Sequence, residues 1–320
     1  MKKTELMKAI TLPEPGGVEN FQIEEIEQPA LQKNEVLVKV KAISINPVDT
    51  KTREGKAFYN QLKEESKVIL GWDISGIVEA VGEEVEYFKA GDEVFGMVNF
   101  PGIGRAYAEY VAAPEAHLAH KPANIPHQEA AAATLAALTA WQVLVHEADI
   151  QPGQRVLIHA AAGGVGHYAV QIAKFFNAYV IGTASSENHT FLKDLGVDEP
   201  IDYKSEQVED VVQNVDIVLD SLGEENTRRS LKTLKDGGKI ISILGGAKEE
   251  VQAEATKRNI EAKSYLVHSS GEDMAKLADL LQRGILKSHV AYTFPFEDMA
   301  KAHQQVETRK TKGKVIVLVD

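Results

Sequence analysis

The chain has 320 residues, and its 47 Asp and Glu outnumber 35 Lys and Arg for a formal net charge of −12. That balance speaks against nucleic acid or an anionic membrane surface as the partner, since either would select a basic face. The absence of cysteine excludes disulfides, a cysteine nucleophile and cysteine-ligated zinc. The start, MKKTELMKAI, lacks the apolar stretch of a secretory signal, and no apolar run reaches membrane-spanning length, so the expected compartment is the cytoplasm.

Residues 1–125 read as strands and turns. Glu35–Lys41 alternates polar and apolar side chains, Gly71–Gly82 is a β segment bracketed by glycines, and Ala90–Gly96 is a strand entered from a turn. This is mostly antiparallel material. Pro126 then opens an alanine-rich helix expected to run through Val145. Strands alternate with helices from there: strand Arg155–His159, helix Gly166–Phe176, strand Ala178–Thr183, helix Thr190–Leu195, strand Asp216–Leu219, helix Glu225–Leu234 and strand Gly238–Leu244. Such alternation predicts a parallel, doubly wound sheet covered on both faces. Helices near Asp273–Arg283 and Glu297–Val306 precede a closing strand, Lys314–Val319, that belongs with the first domain.

The stretch HAAAGGVG, His159–Gly166, joins the first of these strands to its helix. In a dinucleotide-binding fold the pyrophosphate rests at that helix N-terminus, where backbone N–H groups and the dipole favour an anion. Small side chains there let the phosphate approach. The pattern is Ala161-x-Gly163-x-x-Gly166, with alanine at the usual first glycine. Gly163, Gly164, Val165 and Gly166 are the expected pyrophosphate residues. An NAD site usually carries an acid at the end of the second strand. Here that end is Gly182-Thr183-Ala184-Ser185-Ser186, which favours NADP over NAD, although Glu187 follows closely.

HAAAGGVG followed by VQIAK resembles the medium-chain dehydrogenase/reductase superfamily, in its zinc-free quinone oxidoreductase branch. Asn46-Pro47-Val48-Asp49, Gly71-Trp72-Asp73-Ile74-Ser75-Gly76, Ala137-Leu138-Thr139-Ala140-Trp141, Ile201-Asp202-Tyr203, Asp220-Ser221-Leu222-Gly223 and Gly313-Lys314-Val315 are similar to that branch and fall in its order. The segment Asn46–Arg53 looks most like the alkenal and enone reductases. The resemblance implies a GroES-like β domain, residues 1–125 and 269–320, split around a Rossmann domain, residues 126–268, with an added strand at Lys263–His268 and a homodimer.

It also implies site residues. Ser185 and Ser186 would face the 2′-phosphate, Tyr203 would lie beside the adenosine phosphate, and Arg309 falls at a phosphate-binding arginine. Many NADPH members place a lysine after the second strand, where this chain has Asn188-His189. Leu222 with Gly223 and Leu244 with Gly245 would flank the nicotinamide. Asn46 and Thr139 would lie near it, and Lys51 and Arg53 would set positive charge at the cleft mouth. Tyr59 and Tyr107 are pocket-wall candidates. Asn46 and Trp72 stand where zinc-dependent relatives carry ligands, so no zinc is expected.

Reducing a simple ketone develops an alkoxide that needs a Lewis acid or a placed proton donor. Conjugate reduction and quinone reduction spread the charge, so ordinary hydrogen-bond donors suffice. The expected substrate is therefore a small quinone or α,β-unsaturated carbonyl compound. Two other readings stay open: a reductase of another carbonyl or alcohol, and a dinucleotide-binding protein with little catalysis.

Overall fold

The computed structural model describes residues 5–320, which divide into two units, residues 5–138 with 268–320 and residues 139–267. Residues 1–4 of the expected first domain lie outside the described residues.

In chain order the first unit carries β1 (Leu6–Thr11), β2 (Gln22–Glu27), β3 (Glu35–Ile45), α1 (Pro47–Arg53), β4 (Asp73–Val81), β5 (Glu93–Met97), β6 (Tyr110–Pro114), β7 (Leu118–His120) and α2 (His127–Ala132). After α3 (Leu135–Trp141) comes the second unit: β8 (Arg155–Ile158), α4 (Gly166–Phe175), β9 (Tyr179–Ala184), α5 (His189–Leu195), β10 (Glu199–Asp202), β11 (Val215–Asp220), α6 (Glu224–Ser230), β12 (Leu234–Ser242) and β13 (Glu261–Ser264). The chain returns to the first unit with α7 (Gly271–Gln282), β14 (Val290–Pro295), α8 (Met299–Glu307) and β15 (Lys314–Leu318).

β3 is the spine of the first unit. It pairs antiparallel with β4, β6 and β15, and the sheet runs β14-β15-β3-β4-β5-β7. The closing strand β15 sets Val317 opposite Ile43. This mostly antiparallel sheet encloses a core that includes Val38, Val40, Ile43, Ile74, Val94, Tyr107 and Val317.

The second unit is a fully parallel sheet in the order β10-β9-β8-β11-β12-β13. Counted within the unit, that is the dinucleotide-binding order 3-2-1-4-5-6, whose direction of winding reverses between β8 and β11. Its strands read as continuous apolar runs because both faces are covered. Val156, Leu157, Ile158, Val218 and Leu219 are all fully buried. The expected strand at Lys263–His268 is displaced: β13 ends at Ser264.

The alanine-rich segment differs from expectation. It is two helices, α2 and α3, followed by a π-helical turn at Gln142–Glu147. The break falls where the Thr134 hydroxyl donates to Ala131 O and the Leu135 amide donates to the Asp73 carboxylate at 3.0 Å. An acid from another strand thus takes an amide that would otherwise continue the helix. α2 packs on the first sheet, where Ala131 and Ala132 meet Ala42 and Ile316. The second unit begins at Thr139. No helix among the described residues is long and apolar enough to cross a membrane.

Candidate active site

Ligands of doubly wound sheets bind beyond the carboxyl ends of the strands, where the winding reverses. Two loops leave that point. The first is the small-residue turn after β8. Ala160 takes a left-handed backbone, φ +49°. Its amide donates to the Thr183 hydroxyl at 3.0 Å, and the Ala161 amide donates to Thr183 O at 2.9 Å. The Gly163 amide closes the turn on Ala160 O at 2.8 Å. A Cβ at Gly166 would stand 2.3 Å from Ala160 O, so helix and turn could not meet with any larger residue there. Gly163, Gly164 and Val165 are half-buried, leaving the turn's backbone approachable at the head of α4. This bare turn fits the diphosphate of a dinucleotide.

His159, which sequence reasoning did not single out, anchors the turn from below. It is buried, with Nε2 at 2.8 Å from the Ser230 hydroxyl and Nδ1 at 3.4 Å from Thr183 Oγ1. Ser230 already donates to Asn226 O, so it accepts from Nε2–H, which defines the neutral tautomer. Burial holds the imidazole down to about 4.

The second loop follows β11. Asp220 is fully buried and accepts from the Leu222 amide, the Gly223 amide, Asn226 Nδ2, the Thr227 hydroxyl and the Ser242 hydroxyl, at 2.7 to 3.2 Å. Ser242 in turn takes the Gly246 amide at 3.0 Å. One carboxylate therefore ties the loop after β11 to the loop after β12. Between these ties Leu222 and Leu244 remain about half exposed, 54% and 49%. Gly223 and Gly245 have φ of +102° and +71° with open space where a Cβ would be; conformation, not crowding, asks for glycine at both. The Ser221 hydroxyl reaches His159 O at 3.3 Å, linking the two loops at the switch point.

The end of β9 forms the third part. Ser185 is buried and donates to Glu187 Oε1 at 2.8 Å, while Asn188 Nδ2 donates back to the Ser185 hydroxyl at 3.1 Å. Parallel pairing sets Asp202 of β10 opposite Ala184, which brings Ser186, Tyr203 and Lys204 to the same end. The Lys204 amide, with help from Ser186, holds the Asp202 carboxyl below its usual range, Tyr203 is exposed, and the Lys204 ammonium lies 3.7 Å from Glu187 Oε1. The Ser185 hydroxyl and the Lys204 charge hold the Glu187 carboxyl below its usual range. Lys204 escaped sequence reasoning because only the register of β9 on β10 brings it there.

The predicted residues of the first unit fare differently. Lys51 is exposed on α1. Arg53, expected at a cleft mouth, is instead buried at 3% exposure. Its guanidinium donates to Gly16 O at 2.9 Å, to His303 Nδ1 at 3.4 Å and to Glu307 Oε1 at 2.5 Å, so it is spent on the fold. Asn46 is also buried. Its backbone amide donates to Asp49 Oδ2 at 2.6 Å, its Nδ2 to Asp73 Oδ2 at 2.7 Å, and its Oδ1 accepts from Lys314 Nζ. The amide expected near the nicotinamide is thus engaged at both ends within the first unit. Tyr107, a pocket-wall candidate, is core, with its phenol 2.8 Å from His303 Nε2. Thr139 is buried in α3. Arg309 is exposed in a left-handed turn, φ +56°, between α8 and β15.

Residues 32–123 match the family described as alcohol dehydrogenase GroES-like domain, and residues 195–317 match the family described as zinc-binding dehydrogenase. The chain is 33% identical to the chloroplastic NADPH-dependent alkenal/one oxidoreductase of Arabidopsis thaliana, over 97% of its own length and 79% of that protein's. It belongs to the medium-chain dehydrogenase/reductase superfamily. Within the superfamily it is 32% identical to the quinone oxidoreductase of Sus scrofa, covering 98% of each chain. The solved quinone oxidoreductase of Coxiella burnetii shares its fold with a TM-score of 0.93 and 34% identity, over 99% of this chain and 100% of that one. The relatives place this medium-chain dehydrogenase/reductase in the quinone oxidoreductase branch, with the alkenal reductases, and make it an oxidoreductase.

A zinc ion does not fit the positions that carry ligands in zinc-dependent members. Asn46 is engaged as described, and the Trp72 indole, a donor only, gives its N–H to Gly102 O at 2.8 Å. Among the described residues no three His, Asp or Glu side chains converge as a metal would require.

Proposed function

We propose that this medium-chain dehydrogenase/reductase uses NADPH to reduce a quinone or the C=C bond of an α,β-unsaturated carbonyl compound, as a cytoplasmic homodimer and without a metal in the chemical step. One observation carries the reading. The approachable Gly163–Gly166 turn and the Leu222–Gly223 loop leave adjacent strands at the switch point of a 3-2-1-4-5-6 sheet.

The bound cofactor supplies the hydride. Gly163, Gly164, Val165 and Gly166 line its diphosphate; the Gly163 amide is spent on Ala160 O, so the amides of the other three meet the phosphate oxygens, helped by the positive end of the α4 dipole. Leu222 and Leu244 offer apolar edges to the nicotinamide ring, held at fixed height by the Asp220 ties. Ser185, Ser186 and Tyr203 receive the adenosine end, and Arg309 is the further phosphate candidate. Thr139 steadies the ring. Lys51 is the cation available to a developing enolate, now without Arg53. An enolate or a quinol anion spreads its charge over several atoms, so hydrogen-bond donors suffice to stabilise it, and the proton comes from solvent.

The test is a matched assay of NADPH and NADH, each with a quinone, an alkenal and a ketone, following loss of the reduced nicotinamide. Turnover with the first two acceptors and NADPH, resistant to chelator, is expected. A protein that oxidises neither nucleotide with any acceptor overturns the proposal.

A further inference from the structure

The carboxylate of Glu187 meets a hydroxyl and an ammonium, with Asp202 as a like charge facing it. A single oxygen, Oε1, receives the Ser185 hydroxyl at 2.8 Å and faces the Lys204 ammonium at 3.7 Å. Ser185 is buried and its oxygen is oriented by Asn188 Nδ2, so this donor is held in place and not swept through solvent. Glu187 itself is largely exposed, with 73% of its side chain open to solvent, and is free to leave. A hydroxyl donor beside an ammonium is the combination that binds a phosphate monoester.

We infer that Glu187 is an internal stand-in for the 2′-phosphate of the cofactor, and that the two compete for the seat formed by Ser185 and Lys204. The inference rests on the proposed reading that the adenosine end lies at the end of β9. With NADPH, the phosphate takes Ser185 and Lys204, and Glu187 swings into solvent as a like charge that weakens the complex. With NADH, no phosphate competes, and the same carboxylate is placed to accept from a ribose hydroxyl, as an acid at this strand end does in NAD sites. Glu187 is thus a specificity-determining residue that keeps the preference for NADPH modest, and Lys204 takes the part of the lysine missing after the second strand.

Calorimetry on the nucleotide-free protein, with 2′,5′-ADP and 5′-ADP as probes, tests this apart from turnover. Glu187→Gln is expected to tighten 2′,5′-ADP about fivefold, the scale of one exposed charge interaction, and to leave 5′-ADP unchanged or weaker. Lys204→Met is expected to weaken 2′,5′-ADP about fivefold or more with 5′-ADP unchanged. The Glu187→Gln gain should shrink as salt is raised. Equal effects of Glu187→Gln on both probes, or weaker binding of 2′,5′-ADP, overturn the inference while leaving the dinucleotide site standing. Wild-type protein that binds neither probe overturns the site and the inference with it.

Discussion

The ammonium of Lys314, on the last strand, donates to the amide oxygen of Asn46, 268 residues earlier in the chain. Asn46 passes the connection on to Asp73 through its Nδ2 and to Asp49 through its backbone amide, and Asp73 receives Leu135 N at the head of α3. Burial and, against it, the two carboxylates set the state of the lysine: the first lowers its pKa and the second raise it. The cluster joins β15, the end of β3 and β4 in one buried polar network.

Lys314→Met removes the donor to Asn46 Oδ1 and the charge that offsets the burial of Asp73. Losing such a buried, charged hydrogen bond costs about 1.5–3 kcal/mol, and urea unfolding should show the loss. The double variant Lys314→Met, Asp73→Asn is expected to recover most of it. Equal midpoints for the wild type and Lys314→Met would show that the cluster bears no stability.

Asn46→Ala removes the acceptor for Lys314 and the donor to Asp73 together. A stability loss of about 1–3 kcal/mol follows, with the KM for the acceptor substrate unchanged in the fraction that stays folded. A variant of wild-type stability and altered substrate KM would return Asn46 to the substrate contacts.

Stability against pH has two limbs of opposite sign. Burial holds His303 at about 3 and His159 at about 4, below the ordinary 6.5. The folded protein then binds fewer protons than the unfolded chain across that window, so their contribution is complete above 6.5 and is lost as pH falls. Burial pushes Asp49 up to about 8 from 3.8, and its Oδ1 lacks a hydrogen-bond partner, which a protonated carboxyl tolerates better than a charged one. Its folded form holds an extra proton, and that contribution is lost as pH rises towards 8. Between pH 6.5 and 8 the wild type should lose stability relative to Asp49→Asn, with a limiting slope of about 1.4 kcal/mol per pH unit. Parallel curves for the two proteins in that window would contradict the assignment.

Gly166→Ala places a methyl 2.3 Å from Ala160 O and 2.7 Å from Ala161 Cα. Both are backbone atoms, so the turn must move. Loss of about 1–3 kcal/mol and at least tenfold weaker 5′-ADP binding are expected by melting and calorimetry. Gly163→Ala, whose methyl would meet Ala160 O at 3.1 Å, should fold normally. A Gly166→Ala protein with wild-type nucleotide affinity would detach the turn from the phosphate.

Asp220→Asn exchanges one acceptor oxygen for an amide that faces hydroxyls and backbone N–H groups. The loops carrying Leu222 and Gly246 then loosen. Turnover is expected to fall about tenfold, on the scale of a lost buried hydrogen bond, while 2′,5′-ADP binds as before. Reduced binding of the adenosine fragment alongside turnover would point to general unfolding and not to a displaced ring.

Local patterns carried much of this protein. The alternation of β3, the apolar run of β8 and the small residues of 159–166 were legible because each depends on neighbours within a turn or a strand. So was the division into an antiparallel and a parallel unit, since periodicity differs between them. The helix through Val145 was misread because its interruption is imposed by Asp73, far upstream. Arg53 and Asn46 were read as available groups, and Glu307, His303 and Lys314 claimed them instead.

Composition and spacing by themselves determined that this chain builds a bare, small-residue turn between β8 and α4 and lacks cysteine chemistry. Only the folded topology decided which polar groups are spent inside and which stay free to act. The reason is physical: propensity acts over a few residues, whereas the partner of a buried charge is chosen by strand order and register, as Lys204 reaches Glu187 only through the pairing of β10 on β9.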